Sequence, residues 1–512
     1  LMAVVAVGDF NADEAEALIR ELFSGLQEPP EPRERVVYPP GRTEEPVYAI
    51  ATDPEATYAV ASLYFKRDPA PERTVGDYRR ILENILISSM MNDRLAEVTE
   101  QSDPPFAAAY CGYTSLVRSS DVFIVQSLAS AGGLLPAFQA AAEETFRASE
   151  HGFTADELDR AKKNILSLIR QQYRERDKTE SASYASQYVT HFLKGTMIPS
   201  VGWELAAVEG LFPGISLDDV NGLISEYVTL ENLAVLIDAP EKPGFVVPAE
   251  AELVSVLERY EAGGTTAYTE TGSGETLLES PPVPGKIVKR ERIAEIDSTL
   301  FTLSNGVRVL FKRTENKEDQ VLLRSFSPGG LSLVSDEEYV SGMLSTDLAV
   351  QSGVGPFSRT GLDRFLAGKQ VQVSPYIDDT TEGFSGYSSV EDFPVMLELV
   401  YAYATRYKVD QDAYASFMTR LMAVLENQMA MPEVQFSYRF QNLLFGGNPR
   451  KRPLTPDVLK ETDPGAALRI FGERFRDLGD SMFVIVGSIS LDEAAPLIEK
   501  YIAALPAGGK AA

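Results

Sequence analysis

The sequence predicts an α+β fold made of repeated units, and three observations carry that expectation. Strand-like and helix-like stretches mix along the 512 residues without strict β-α-β alternation, which argues against a doubly wound parallel sheet. Asn305-Gly306 lies between two apolar runs, the signature of a tight hairpin whose turn favours positive φ at both central residues. One strand-plus-helix unit also occurs twice. A chain of this length suggests about three domains.

The repeat sets the domain boundaries. Residues 3–26 read AVVAVGDFNADEAEALIRELFSGL and residues 482–505 read MFVIVGSISLDEAAPLIEKYIAAL, so Val7-Gly8 aligns with Val486-Gly487 and Asp13-Glu14-Ala15 with Asp492-Glu493-Ala494. In each copy a β-branched strand precedes a cap residue, Asn11 or Ser490, with Glu14 or Glu493 three positions on to complete a capping box. Ala15, Leu18, Ile19 and Leu22 then share one helical face. The second copy closes a unit that begins near Asp297, whereas the first has no body ahead of it. A strand and a helix alone do not bury their apolar faces, so residues 1–36 are expected to be the C-terminal end of a first domain.

Between the copies, residues 47–65 alternate as a strand does, and residues 71–100 form an amphipathic helix lined by Val75, Tyr78, Ile81, Leu82, Ile85, Leu86 and Leu95. Strands are expected over 107–117 and 122–128. A helix capped by Thr154 and Glu157 is expected to run past Arg176, another starts at Ser216, and a strand over 233–237 closes the second domain, 37–245. Pro243, Pro248, Gly263-Gly264, Gly272-Ser273-Gly274 and Pro281-Pro282 mark residues 246–295 as a linker, interrupted by a helix over 249–260. The third domain, 296–512, opens with the hairpin, continues with a strand over 320–326 and Gly329-Gly330, and then has a helix over 336–351.

Bulk properties exclude several function classes. The formal charge of −28, from 75 acidic against 47 basic residues, repels phosphate backbones and anionic membranes, so neither nucleic acid nor membrane insertion is expected. No apolar run approaches the roughly 18 residues of a spanning helix. The single Cys, Cys111, precludes an internal disulfide and a Cys-based zinc site.

Several stretches resemble the pitrilysin/insulinase (M16) zinc peptidases, whose metal motif is the inverted H-x-x-E-H. Residues 7–15 are similar to the close of that family's first domain. Residues 106–123 (FAAAYCGYTSLVRSSDVF) and 153–163 (FTADELDRAKK) resemble its second domain, and residues 366–389 (LAGKQVQVSPYIDDTTEGFSGYSS) resemble the third domain of bacterial four-domain members. The resemblance spans nearly the whole chain. It implies homologous α+β domains, each a mostly antiparallel sheet flanked by helices, in a clamshell around a peptide-degrading chamber. It also implies a zinc site in the first domain of the parent protein, peptide substrates, pairing with a homologous half or subunit, and location in the periplasm or cell envelope, with the cytoplasm left open.

No residue of this chain is assigned to catalysis, cofactor binding or metal. His191-Phe192-Leu193-Lys194-Gly195 imitates the motif, but Lys194 replaces the general base and Gly195 the second ligand. His151, before Gly152, reads as a helix-end residue, and the helix over 336–351 contains no His. Gly383-Phe384-Ser385-Gly386-Tyr387 lacks nucleophile-elbow spacing, and Gly353-Val354-Gly355-Pro356 is no dinucleotide fingerprint. Cys111 reads as a small buried apolar residue. Asn92, Arg94 and Leu95 form a segment similar to one recurring in the family, with Arg94 expected to bond carbonyls across domains. The expected function is therefore the inner, inactive segment of a zinc metalloendopeptidase. The rival readings are a non-catalytic partner subunit and a peptide-binding module.

Overall fold

The computed structural model describes residues 3–26, 31, 36–130, 133–241, 245–270 and 276–508. Parts of the expected first-domain tail and the linker residues Pro243 and Gly272-Ser273-Gly274 lie outside them. The first repeat forms helix α1 (Ala12–Phe23), with the Asn11 side chain accepting from the N–H groups of Asp13 and Glu14 at 2.9 and 3.4 Å. Residues 3–7, expected as a strand, form no strand and pair with none of the described strands. A strand exists only through its neighbours, and none of the described strands lies beside them.

The first half follows as β1 (Val47–Asp53), β2 (Val60–Arg67), α2 (Val75–Val98), β3 (Phe106–Val117), β4 (Ser120–Ala129), α3 (Leu134–His151), α4 (Ala155–Arg174), α5 (Ser181–Lys194), α6 (Val201–Leu211), α7 (Leu217–Tyr227), β5 (Leu233–Pro240) and α8 (Glu250–Glu261). Its sheet runs β1-β5-β2-β4-β3, antiparallel except for the β1–β5 pair. The strand expected over 47–65 is two strands, because Asp53 folds the chain into a turn, its carboxylate taking the Glu55 N–H at 2.6 Å. Helix α2 starts at Val75, where Thr74 and Asp77 make a reciprocal capping box. Helix α4 stops at Arg174, short of the expected length, and gives way to a 3-10 turn.

The second half is β6 (Ile287–Ile293), β7 (Ser298–Leu303), β8 (Arg308–Arg313), β9 (Val321–Pro328), α9 (Tyr339–Met343), α10 (Ser345–Gln351), α11 (Arg359–Phe365), β10 (Val371–Ile377), β11 (Thr381–Ser388), α12 (Phe393–Thr405), α13 (Gln411–Met429), α14 (Pro432–Leu444), α15 (Pro456–Leu459), α16 (Pro464–Phe475), β12 (Met482–Gly487) and α17 (Leu491–Leu497). Its sheet runs β10-β11-β9-β12-β8-β7-β6. The second repeat supplies its middle strand, β12, antiparallel to β9 and parallel to β8. Ser490 and Glu493 form the expected capping box.

The hairpin at Asn305-Gly306 is present, but its turn is not the expected one. Only Gly306 has positive φ, +91°, and its N–H donates to the Leu303 carbonyl at 3.0 Å, a type I turn followed by a left-handed glycine. The Asn305 side chain is used elsewhere, donating to the carbonyls of Ile502 and Leu505 at 2.9 and 3.1 Å. The helix expected over 336–351 breaks into α9 and α10 at Leu344, where the Ser345 hydroxyl bonds the Gly342 carbonyl at 2.7 Å in competition with the backbone ladder.

Each sheet has its own core, around Phe65, Phe106 and Phe123 in the first half and Phe301, Phe384 and Phe483 in the second. Within the stretch expected as linker, α8 seals the first core with Leu253, Val256 and Leu257, and β6 edges the second sheet. The α+β class read from the sequence is the class the molecule has. No described helix is long and apolar enough to cross a membrane.

The halves clasp each other in a near-symmetric way. From α4, Ser167 accepts from Gln370 at 3.0 Å and Asn164 from the Gly368 N–H at 2.6 Å, just ahead of β10. From α13, Arg420 donates to the Thr99 hydroxyl at 3.0 Å and Ser416 bonds the Thr99 carbonyl, just ahead of β3. Arg174 is ion-paired with Asp319, whose N–H donates to Glu175 at 2.8 Å.

Candidate functional site

The two histidines sit at the ends of different helices, and each is engaged locally. His191 Nδ1 lies 2.5 Å from the Thr196 carbonyl, and its own carbonyl takes the N–H of Gly195, the left-handed residue that ends α5. His151 closes α3 with its Nε2 3.6 Å from the Glu150 carboxylate. Among the described residues no three His, Cys, Asp or Glu side chains group as a metal site. The zinc that the resemblance implies for the parent protein therefore does not fit the donors that the described residues present. Helix α9, in the stretch expected as a His-free helix over 336–351, buries Tyr339, Val340, Ser341 and Gly342.

The segment containing Asn92, Arg94 and Leu95 is structural in three different ways. Leu95 is core. The Asn92 amide pairs with the main chain of Cys111 as a strand would, donating to its carbonyl at 2.9 Å and accepting its N–H at 2.8 Å. Because β3 is an outer strand, this pair occupies its free edge. Cys111 is fully buried, and burial pushes its thiol far above the ordinary range, which disfavours the nucleophilic thiolate.

Arg94 is buried and forks onto Glu157 at 2.6 and 2.8 Å. It also donates to the Gly152 carbonyl at 3.0 Å and stacks on Tyr268, 4.3 Å from its ring centre. Its partners belong to the first half and the segment just after it, so the expected bonds to carbonyls across domains reduce to one within the half.

Beside β3 the structure has a feature that no motif announced. A groove of about 1150 Å3 runs between the first turns of α2, the β3 edge and the α5–α6 loop, and it meets a second of about 970 Å3 at Asp77, Arg80 and Tyr113. Its charges alternate in sign. Glu72, Asp77 and Glu204 face Arg80, Arg118 and Lys194. Burial raises the Glu204 carboxyl; burial, then Asp121, raises that of Glu72, against the pull of Lys194. Hydrogen bonds from the N–H groups of Arg73 and Thr74 hold Asp77 low. The groove thus offers donors and acceptors of both signs along a strand edge. No His lines it, and its one thiol is buried. Such a lining can hydrogen-bond a polar chain. The residues come from four separated segments, and spacing alone therefore gave no signal.

Comparison with known proteins places the fold. The family model Peptidase M16 inactive domain matches residues 1–165. A zinc protease PQQL-like of Arabidopsis thaliana is 27% identical over 508 residues, covering 99% of this chain and 48% of that protein. The solved ferredoxin protease FusC, in complex with Arabidopsis ferredoxin, aligns over 98% of this chain and 55% of its own with a TM-score of 0.60 at 17% identity. Pitrilysin aligns over 98% of this chain and 52% of its own with a TM-score of 0.53 at 14% identity. These two structures share the fold. The chain spans about half the length of the relatives it matches.

Proposed function

Because the chain belongs to the M16 family of insulinase-type peptidases, we propose that it is the inner, non-catalytic part of a zinc metalloendopeptidase, forming wall of an enclosed peptide-degrading chamber. One observation carries the reading. The chain resembles a named zinc protease along 99% of its length, while its described residues present no metal-binding group. Zinc and the water-activating carboxylate then belong to the rest of the parent protein. This chain's part is to enclose the substrate and hold it along the groove beside β3, where unfolded peptide meets hydrogen-bonding groups of both signs. We place residues 1–36 as the tail of the catalytic-type domain and the parent protein in the cell envelope.

The matched model describes an inactive domain, which favours a second reading, a scaffold that pairs with an active homologous subunit. Isothermal titration of the 512-residue chain with zinc, run beside a peptidase assay, tests the primary reading. Neither stoichiometric sub-micromolar zinc binding nor peptide cleavage is expected. Either one would overturn the assignment. An H-x-x-E-H helix with a later Glu in the rest of the parent protein supports the enzyme, and substitutions there support the scaffold.

A further inference from the structure

Four strands end the two sheets, and three of their edges are closed to another strand. β6 carries Lys289, Arg290, Glu291 and Arg292, charges that deter pairing. β10 contains Pro375, which has no N–H to offer, and the approach to it is held by α4. β3 is occupied at Cys111 by Asn92. β1 has none of these devices. Its sequence is VYAIATD, among the described residues it pairs on one side only, with β5, and six of its seven residues are exposed, Tyr48 being half-buried. An exposed edge whose only charge is Asp53, at its end, is a template for strand addition.

The surroundings select the partner. Glu44 and Glu45 precede the strand, Asp53 ends it, Glu55 follows it, and exposed Asp238 lies beside Ala51 in register. Glu241 is fixed at the far end by the Thr52 hydroxyl at 2.9 Å. The charges of Glu250 and Glu258 reach Tyr48, where with burial they raise the phenol. We infer that the free edge of β1 is a docking site for an extended basic peptide segment, which adds a strand there and sets its Lys or Arg side chains against the flanking carboxylates. Main-chain pairing supplies affinity, and the acidic flanks select against acidic segments. The inference concerns a surface on the opposite end of the sheet from the groove, and it stands whichever reaction the parent protein performs.

The test uses the whole 512-residue chain and a fluorescent seven-residue peptide alternating Lys with Val, together with its Glu-for-Lys counterpart. Anisotropy should show binding of the basic peptide only, weakening as salt rises. Amide hydrogen exchange should slow across residues 47–53 when that peptide is present. E44Q with E45Q should weaken binding by about tenfold, equivalent to ~1.4 kcal/mol, and leave the circular dichroism unchanged. Equal binding of the acidic peptide, or binding that leaves exchange at 47–53 unaltered, would overturn the proposal. So would no binding at all. Strong protection, in the free chain, of those 47–53 amides that point away from β5 would also refute it, by showing the edge already taken by another segment or a second copy.

Discussion

Arg94 shows how much one residue does in this molecule. Its guanidinium joins α2 to the start of α4, because Glu157 both receives the fork and closes the capping box with Thr154. The side chains of Arg94 and Glu157 are 1% and 3% exposed, so neither charge has water as a substitute partner. Breaking one side of such a buried pair typically costs about 3–5 kcal/mol. Arg94→Met is therefore expected to lower the unfolding free energy of the first half, measured in urea, by that order. A double-mutant cycle with Glu157→Gln should show strong coupling, and additive effects would mean that the pair is not the link.

At the scale of the element, β3 and β1 show two fates of an outer strand. The Asn92 amide gives Cys111 the hydrogen bonds that a neighbouring strand would give. In Asn92→Ala both main-chain groups lose their partner, a cost of about 1–3 kcal/mol for a buried polar group left unmade. The edge is also freed for pairing between molecules. Urea denaturation should register the first effect and light scattering the second. Unchanged stability together with an unchanged monomer would remove the edge-capping role. The turn at Gly306 belongs to the same scale. Its left-handed φ and the Gly479 carbonyl 2.9 Å from where a Cβ would lie both require glycine, so the dipeptide signalled a hairpin correctly while the turn type depended on packing.

For the whole molecule, the reciprocal clasp of α4 and α13 holds the halves together. Asp319 is a buried charged group within it. It takes Arg174 of α4 on one oxygen and the Val390 N–H at 2.9 Å on the other, while its own N–H donates to Glu175. Asp319→Ala removes both acceptors at once. Faster amide exchange is expected in residues 164–178 and 317–320, with the strands of both sheets unchanged. If exchange stays the same, the clasp does not depend on this contact.

Local signals were legible wherever a residue type answers to one cause. Asn11, Thr154, Ser216 and Ser490 cap helices because a side-chain oxygen facing free N–H groups is a local event, and each was readable from its own few neighbours. The repeat, the α+β class and the family resemblance were legible for the same reason: they are written in consecutive residues. Tertiary structure alone decided that residues 3–7 go unpaired while β12 sits in mid-sheet, that α4 ends at Arg174 against Asp319, and that Glu72, Arg80, Lys194 and Glu204 face one groove. Strand pairing, helix length and groove lining are set by groups far apart in the chain, and the energy of those contacts exists only once the chain has brought them together.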